Sequence, residues 1–221
     1  MNILAIDTAL GAGTVAVSIG DRIVQTAALE EPRSLSELLV PTIDSVLQAA
    51  GMEYSALDRI AVTIGPGTFT GLRIGLAAAR AIGLAAGCPV IGVTTLEALA
   101  NGAREQAGVG DEMCVAIDAR RGQVYFQRFH YVDGDLVPSM PAAAVDILSI
   151  EDHLPEGPIV AVGTGAAYVL EARPDSIRLN DCFDRIDDEV LCRLARRRAD
   201  PGEAPAPLYL REPDAKLPKV L

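Results

Sequence analysis

Tryptophan is absent from the sequence, and histidine and the other aromatic residues are scarce. Aromatic residues make up 4% of the 221 residues, whereas hydrophobic residues as a class make up 50%. A core of this composition must be filled mainly by alanine and the aliphatic side chains. The two histidines, His130 and His153, have no closely spaced ligand partner, so we predict that the chain holds no metal. They also form no Ser-His-Asp pattern, so no catalytic residue is predicted.

Positive charge is also scarce. The chain has 19 lysines and arginines against 30 aspartates and glutamates, which gives a net charge of −11. Because attraction to phosphates requires a positive face, this balance argues against a broad nucleic-acid-binding surface. One local basic cluster lies near the C-terminus, at Arg193, Arg196, Arg197 and Arg198. It is either a solvated helix end that complements the helix dipole or a contact with RNA that a partner holds.

Paired cysteines and an uninterrupted apolar run are missing as well. None of the cysteines forms a CxxC pair, so we expect them to be reduced and structural: Cys88, Cys114, Cys182 and Cys192. The N-terminus lacks a basic region and reaches an acid at Asp7, which predicts no signal peptide. The most apolar window, 74–93, contains Arg80 and Pro89 and is a poor membrane span. We therefore expect a soluble cytoplasmic protein without a membrane partner.

The first half of the chain follows the order βββαβαβα. Predicted strands at 3–6, 14–19 and 22–28 precede a helix that opens with the capping-box pair Ser34 and Glu37. Pro41 is expected to kink this helix or to mark a second start. A buried strand at 60–64, a glycine-rich turn, a long helix through 85, a strand at 89–93 and a helix at 95–105 complete the pattern.

The second half repeats this order. An apolar run at 113–117 ends in Asp118, as the first strand ends in Asp7, and the strand–glycine turn–helix unit at Gly65 recurs at Gly163. Strands are predicted at 124–131, 136–137, 159–162 and 176–179, with a turn at 133–135, a broken and mostly short-helical stretch at 142–154, and helices at 166–172 and 187–198. We therefore divide the chain into an N-terminal lobe (1–102), a linker near 102–110, a C-terminal lobe (111–200) and an extended proline-rich tail (201–221) that docks on the body.

The glycine-rich turn from Gly65 to Gly71 invites comparison with phosphate-binding loops. It lacks the lysine of a P-loop and does not match the dinucleotide fingerprint, so a structural turn is the favoured interpretation. In the following helix small residues recur every four positions, at Gly71, Gly75, Ala79, Gly83 and Gly87. Because glycine is unfavourable in a helix by about 1 kcal/mol relative to alanine, the stripe predicts close packing against another helix. Arg73 and Arg80 lie on one face, either as snorkelling side chains or as the rim of an association surface.

Two carboxylates, Asp7 and Asp118, each follow a buried strand. Facing each other across a cleft, they would suit a magnesium ion on a nucleotide phosphate chain, whereas as isolated residues each would only cap a strand end. The turn Gly163-Thr164-Gly165 would carry an adenosine or simply begin a helix.

Four motifs stand out in the sequence: 3–8 (ILAIDT), 64–75 (IGPGTFTGLRIG), 118–125 (DARRGQVY) and 207–216 (PLYLREPDAK). Together they resemble the TsaB family, formerly called YeaZ. The family pattern differs in two places, since Leu35 stands where a histidine is frequent and Thr68 where serine is usual. The resemblance implies the actin-like ATPase fold of sugar kinases, Hsp70 and actin, an α/β fold with two βββαβαβα lobes.

The resemblance also implies a role and a set of residues. It implies a non-catalytic subunit that pairs with TsaD, together with TsaE, in threonylcarbamoyladenosine modification of tRNA beside the anticodon. ATP or ADP with magnesium would bind mainly at the partner subunit, tRNA would be met only through the complex, and a homodimer would form when the partner is absent. The implied partner or dimer interface is Gly71, Leu72, Arg73, Ile74, Gly75, Ala78, Ala79, Ile82 and Gly83. The implied nucleotide cleft is Asp7, Thr8, Asp118, Gly163 and Gly165.

Two other functions compete with this one. The two carboxylates favour a nucleotide-binding phosphotransferase or ATPase that uses the cleft between the lobes. A protease is the weaker alternative, because the sequence offers neither a nucleophile–base set nor metal ligands.

Overall fold

The computed structural model describes residues 1–30, 34–104, 112–132, 135–157, 159–178 and 185–211. Its first sheet has the strand order β3-β2-β1-β4-β5. The strands are β1 (Asn2–Asp7), β2 (Gly13–Ile19), β3 (Arg22–Leu29), β4 (Arg59–Thr63) and β5 (Val90–Val93). The central strand β1 pairs antiparallel with β2 and parallel with β4, and its apolar residues 3–6 are fully buried, as the sequence predicts.

The second sheet has the same plan. Its strands are β6 (Glu112–Arg120), β7 (Gln123–Val132), β8 (Asp135–Pro138), β9 (Ala143–Asp146), β10 (Ile159–Val162) and β11 (Ile177–Arg178). The central strand β6 pairs antiparallel with β7 and parallel with β10, while β8 and β9 pair with different parts of β7. The repeated order predicted from the sequence is therefore a repeated topology.

The helices are α1 (Leu35–Ala49), α2 (Phe69–Ala86), α3 (Thr95–Ala103), α4 (Ala166–Ala172) and α5 (Asp188–Arg197), with 3-10 turns at Tyr54–Ala56 and Ile147–His153. Thr94 caps α3 by accepting a hydrogen bond from the Glu97 N–H at 3.1 Å. The predicted cap at Ser34 makes no side-chain capping bond, and α1 runs through Pro41 as one helix. The stretch predicted as short helix at 142–154 is a strand followed by a 3-10 turn.

The two halves exchange their last helices. Helix α3 packs against β6, β7 and β10 of the second sheet, whereas α5 packs against the first sheet. A buried apolar cluster that includes Ala5, Leu96 and Leu191 joins the two sheets through these helices. The division at 1–102 and 111–200 stays a prediction, and α5 of the second half lies on the first sheet.

The basic cluster at the end of α5 forms ion pairs and hydrogen bonds with distant parts of the chain. Arg196 pairs with Asp21 at 2.8 Å, Arg197 with Asp135 at 3.0 Å, and Arg198 with Glu97. Arg193 donates to the Asn101 carbonyl at 3.4 Å. These arginines therefore have partners within the chain. Arg196 and Arg197 also lie in the last turn of α5, as the helix-dipole interpretation predicts, and contact with RNA stays a prediction.

Several predictions fall wholly or partly outside the described residues. They are the turn at 133–134, the end of the strand at 179, most of the linker at 105–110, and the tail beyond 211.

Candidate functional site

A cleft of about 670 Å³ lies where the carboxyl ends of β1 and β6 meet. Ligands of open α/β sheets bind at this kind of position. The walls come from both halves and from the tail: Ala9, Leu10 and 66–69 from the first half, 117–120, Tyr125 and Thr164 from the second, and 208–211 from the tail. Most of these side chains are apolar or aromatic, and the charged ones are Asp118, Arg120 and Arg211.

Asp7 is not one of the residues that line this cleft. Its side chain is 5% exposed, and its Oδ1 accepts hydrogen bonds from the Ala9 N–H at 3.0 Å and the Thr63 hydroxyl at 2.7 Å. Burial raises the pKa of Asp7 from 3.8 to about 6, the charge of Asp188 adds to the rise, and the hydrogen bonds oppose it. Asp7 thus fixes the turn after β1 against β4, and a role in holding magnesium stays a prediction.

Asp118, by contrast, is exposed on the cleft wall. Its Oδ1 accepts a hydrogen bond from the Arg120 N–H at 2.7 Å, and its own N–H donates to the Thr164 hydroxyl at 3.0 Å. Arg120 and Arg121 have φ angles of 59° and 57°, in the left-handed region that non-glycine residues rarely adopt. The β6–β7 turn is therefore unusually constrained beside the cleft. The sequence gives only Gly122 as a signal for this turn.

Gly163 and Gly165 let the β10–α4 turn approach the end of β6. A Cβ atom on Gly163 would overlap the Ala116 carbonyl, and one on Gly165 would lie 3.1 Å from the Asp118 nitrogen. The Gly165 N–H donates to the same Ala116 carbonyl at 2.9 Å. This close packing within the chain accounts for both glycines, and adenosine binding stays a prediction.

The glycine stripe of α2 also faces the chain's own interior. Gly71, Gly75, Ala79 and Gly83 are buried, together with Leu72 and Leu76. A side chain at Gly71 would overlap the Thr8 carbonyl, one at Gly75 would overlap the Thr8 hydroxyl, and one at Gly83 would contact Val90. Thr8 is fully buried there, and its hydroxyl donates to the Gly71 carbonyl at 2.8 Å. The close approach inferred from the stripe exists, but the neighbours are Thr8, just after β1, and Val90 of β5 in the same chain. Gly87, the last residue of the stripe, is the exposed C-cap of α2.

The outer face of α2, defined by Ile74, Ala77, Ala78, Ala81, Ile82 and Leu84, is mostly apolar and open. Leu84 is 87% exposed, Ala77 and Ala81 are exposed, and Ile74, Ala78 and Ile82 are partly exposed. Of the predicted interface residues, Arg73, Ile74, Ala78 and Ile82 therefore reach the surface, whereas Gly71, Leu72, Gly75, Ala79 and Gly83 are buried. By length and composition α2 is also the one described helix that is long and apolar enough to cross a bilayer, and its inner face packs on the first sheet.

The tail meets α2 at its first turn. The Tyr209 ring lies 5.5 Å from the Phe69 ring, the Tyr209 hydroxyl accepts from Arg73 Nε at 3.2 Å, and the Arg73 guanidinium carbon is 3.6 Å from the Phe69 centroid. Arg80 donates to the Pro205 carbonyl at 2.5 Å. Both arginines thus contact the tail. The apolar patch 208–210 predicted that the tail docks, but its place across the cleft has no signal in the sequence.

No group of three or more histidine, cysteine, aspartate or glutamate side chains is arranged for a metal among the described residues. The described cysteines are free thiols. Burial raises the pKa of Cys114 to about 12 and that of Cys192 to about 11, so neither is an activated nucleophile.

Two similarly folded sheets joined by exchanged helices, with a cleft at the ends of their central strands, define an α/β protein of the actin-like ATPase fold. The fold recurs in solved structures. YeaZ from Pseudomonas aeruginosa superposes with a TM-score of 0.78 at 29% identity and covers 95% of this chain and 99% of that one. The ethanolamine utilization protein EutJ from Carboxydothermus hydrogenoformans, at 11% identity and a TM-score of 0.52 over 86% of this chain and 89% of its own, shares the fold alone.

Sequence comparison then gives the family. The family model described as TsaD, tRNA N6-adenosine threonylcarbamoyltransferase, matches residues 29–175. The Escherichia coli protein named tRNA threonylcarbamoyladenosine biosynthesis protein TsaB is 34% identical over 75% of this chain and 72% of its own length. An uncharacterized protein of Mycobacterium tuberculosis is 36% identical over 97% of this chain and 93% of its own. The chain belongs to the TsaB (YeaZ) family.

Proposed function

We propose that the chain is a non-catalytic subunit of a cytoplasmic complex that makes threonylcarbamoyladenosine in tRNA, and that it pairs with TsaD and TsaE. The names of its TsaB relatives support the pathway. The observation that carries the scaffold role is the apolar outer face of α2, because a monomer rarely leaves such a surface exposed without a partner. In this proposal the same face forms a homodimer when TsaD is absent, and nucleotide with magnesium binds mainly at TsaD.

The match to the TsaD family model over 29–175 supports a partner of the same ancestry. Two related actin-like proteins can pair through equivalent helices, in a pseudo-symmetric version of the self-complementary contact of a homodimer. Recognition of tRNA by the complex would then rest on the partner, since this chain carries a net charge of −11.

Reconstitution with each subunit omitted in turn tests the proposal. The chain alone is expected to yield no modified tRNA, and addition of TsaD and TsaE is expected to restore synthesis. Modification by the chain alone would overturn the non-catalytic role.

The interface has its own test. Leu84→Glu places a charge on the 87% exposed Leu84 of the outer face of α2 and is expected to weaken binding to TsaD by at least about tenfold in calorimetry. The matched control is Leu148→Glu, since Leu148 is 96% exposed on the second half and away from α2. Equal affinity of both variants and the parent chain would contradict the assignment of this face.

An ATPase or phosphotransferase remains the second candidate, and the open cleft with Asp118 favours it. Calorimetry with ATP and magnesium separates the two functions. Sub-millimolar binding of ATP that Asp118→Asn abolishes would support the ATPase. No binding of ATP, together with intact pairing to TsaD, would support the scaffold.

A further inference from the structure

The tail segment Pro205–Arg211 begins on the first lobe. The Pro205 carbonyl accepts a hydrogen bond from Arg80, and the Pro205 ring fills the space beside Gly92, where a Cβ atom would lie 2.8 Å from it. The Leu208 N–H donates to the Ile64 carbonyl at 2.7 Å, just beyond the end of β4. The segment is thus bound to one lobe before it reaches the cleft.

The same segment ends on the second lobe. Leu210 packs against the buried cluster that joins the two sheets. Arg211 Nη1 donates to the Ala119 carbonyl at 3.1 Å, near the end of β6. Because residues 208–211 also line the cleft of about 670 Å³, the segment is a wall of the cleft that contacts both lobes.

Tyr209 connects this wall to helix α2. Its ring stacks near Phe69, and its hydroxyl accepts a hydrogen bond from Arg73. Phe69 is 50% exposed and Tyr209 is 43% exposed, so the contact lies at the surface, where another molecule can reach it. A rearrangement at the first turn of α2 therefore changes the contacts that hold the Tyr209 side chain.

We propose that Pro205–Arg211 is a strap that sets the opening of the cleft and couples it to the first turn of α2. The inner side of the lobe junction is held by α3 and α5, whereas the strap crosses the outer side. Widening the cleft requires release of Arg211 from Ala119 or of the strap from the first lobe, and the second motion pulls on Phe69 and Arg73. A molecule that binds the first turn of α2 with different affinity when the strap is docked and when it is released then alters the cleft, and by reciprocity such a ligand in the cleft alters that turn.

Hydrogen exchange at single amides, measured by NMR on the full 23.2 kDa chain, tests the strap. Arg211→Ala removes the hydrogen bond to the Ala119 carbonyl of the second lobe and leaves the packing of Leu210 in place. We expect exchange on the order of tenfold faster at the Leu208 N–H, which bonds to Ile64, and also faster exchange at the Thr68 N–H, which bonds to Ala9 at 2.7 Å. Arg211→Lys keeps a donor and is expected to restore part of the protection.

The matched control is Arg173→Ala. Arg173 donates to the Gly157 and Pro155 carbonyls at 3.3 Å and 3.2 Å, so this variant also removes an arginine–carbonyl contact, but one within the second half. It is expected to leave the Leu208 and Thr68 amides unchanged. If it accelerates them as much as Arg211→Ala does, the effect is general destabilisation and the strap is refuted.

Coupling is tested in the reverse direction with Phe69→Ala. Loss of the ring under Tyr209 is expected to loosen the strap and to speed exchange at the Arg120 N–H on the opposite wall, which bonds to Asp118 at 2.7 Å. Exchange that changes only within the first turn of α2 would overturn the coupling. None of these measurements includes a partner protein. The strap proposal can therefore be refuted while the proposed function holds, and the proposed function can be refuted while the strap proposal holds.

Discussion

Replacing Asp7 by asparagine is expected to change how stability depends on pH. Burial raises the pKa of Asp7 from 3.8 to about 6, and the folded state therefore binds the proton more tightly than the unfolded chain does. The stabilisation from this proton is fully present below pH of about 3.8 and is lost as pH rises through about 6. A shift of about two pKa units corresponds to about 3 kcal/mol of unfolding free energy.

Asparagine keeps the shape of the side chain and an oxygen that can accept from Ala9 and Thr63, but it cannot ionise. Its amide adds a constant cost for any donor left without an acceptor. The difference in unfolding free energy, Asp7→Asn minus the parent chain, should therefore shift in favour of the variant by about 2 kcal/mol between pH 4 and pH 7, which is most of the full effect.

Urea unfolding followed by far-UV circular dichroism at several pH values measures this difference. Asp118→Asn is the reference, since Asp118 lies near the end of the corresponding strand β6 of the second half but is exposed. A difference for Asp7→Asn that stays constant within about 0.5 kcal/mol across this range would refute the argument that an ionised Asp7 is held in a desolvated site.

Two further substitutions test the packing around the site. Gly75→Leu should lower the unfolding free energy by several kcal/mol, or prevent folding, because the added side chain meets Thr8. Thermal unfolding measures this effect, and an unchanged midpoint would contradict the inward orientation of the stripe. Asp187→Ala should lower the unfolding free energy measured in urea by about 1 kcal/mol, because Asp187 caps α5. Its carboxylate accepts hydrogen bonds from the Glu189 and Val190 N–H groups at 2.7 Å and 3.4 Å. Asp200→Ala, outside the described helices, is the control, and equal losses in the two variants would argue against the cap.

The elements that local patterns encode could be predicted. Apolar runs such as 113–117 and 159–162 are buried strands, and the glycine turns at Gly65 and Gly163 join strands to helices, because periodicity and turn chemistry act over a few residues. The repeated topology follows from the repeated order of these elements.

Contacts distant in sequence could not be predicted. The sequence shows a basic stretch at Arg196–Arg198 but not its carboxylate partners, one of which, Asp21, is far away in the chain. Likewise the glycine stripe indicates a close neighbour without saying whether that neighbour belongs to this chain or to another protein. In both cases the missing information is tertiary, since propensity and spacing do not specify which surfaces meet.

The end of β1 also explains why the two predicted halves of the cleft differ. In the first half Asp7 is held by Thr63 and Ala9, and Thr8 fills the gap between Gly71 and Gly75, so the polar groups that follow β1 bind the chain itself. In the second half Asp118 remains open on the cleft wall. A magnesium-bound phosphate chain would need oxygen ligands that are free to coordinate it. With one of the two carboxylates buried and desolvated, the first lobe is better suited to presenting α2 than to catalysis, which is why we favour a subunit that acts through its partner.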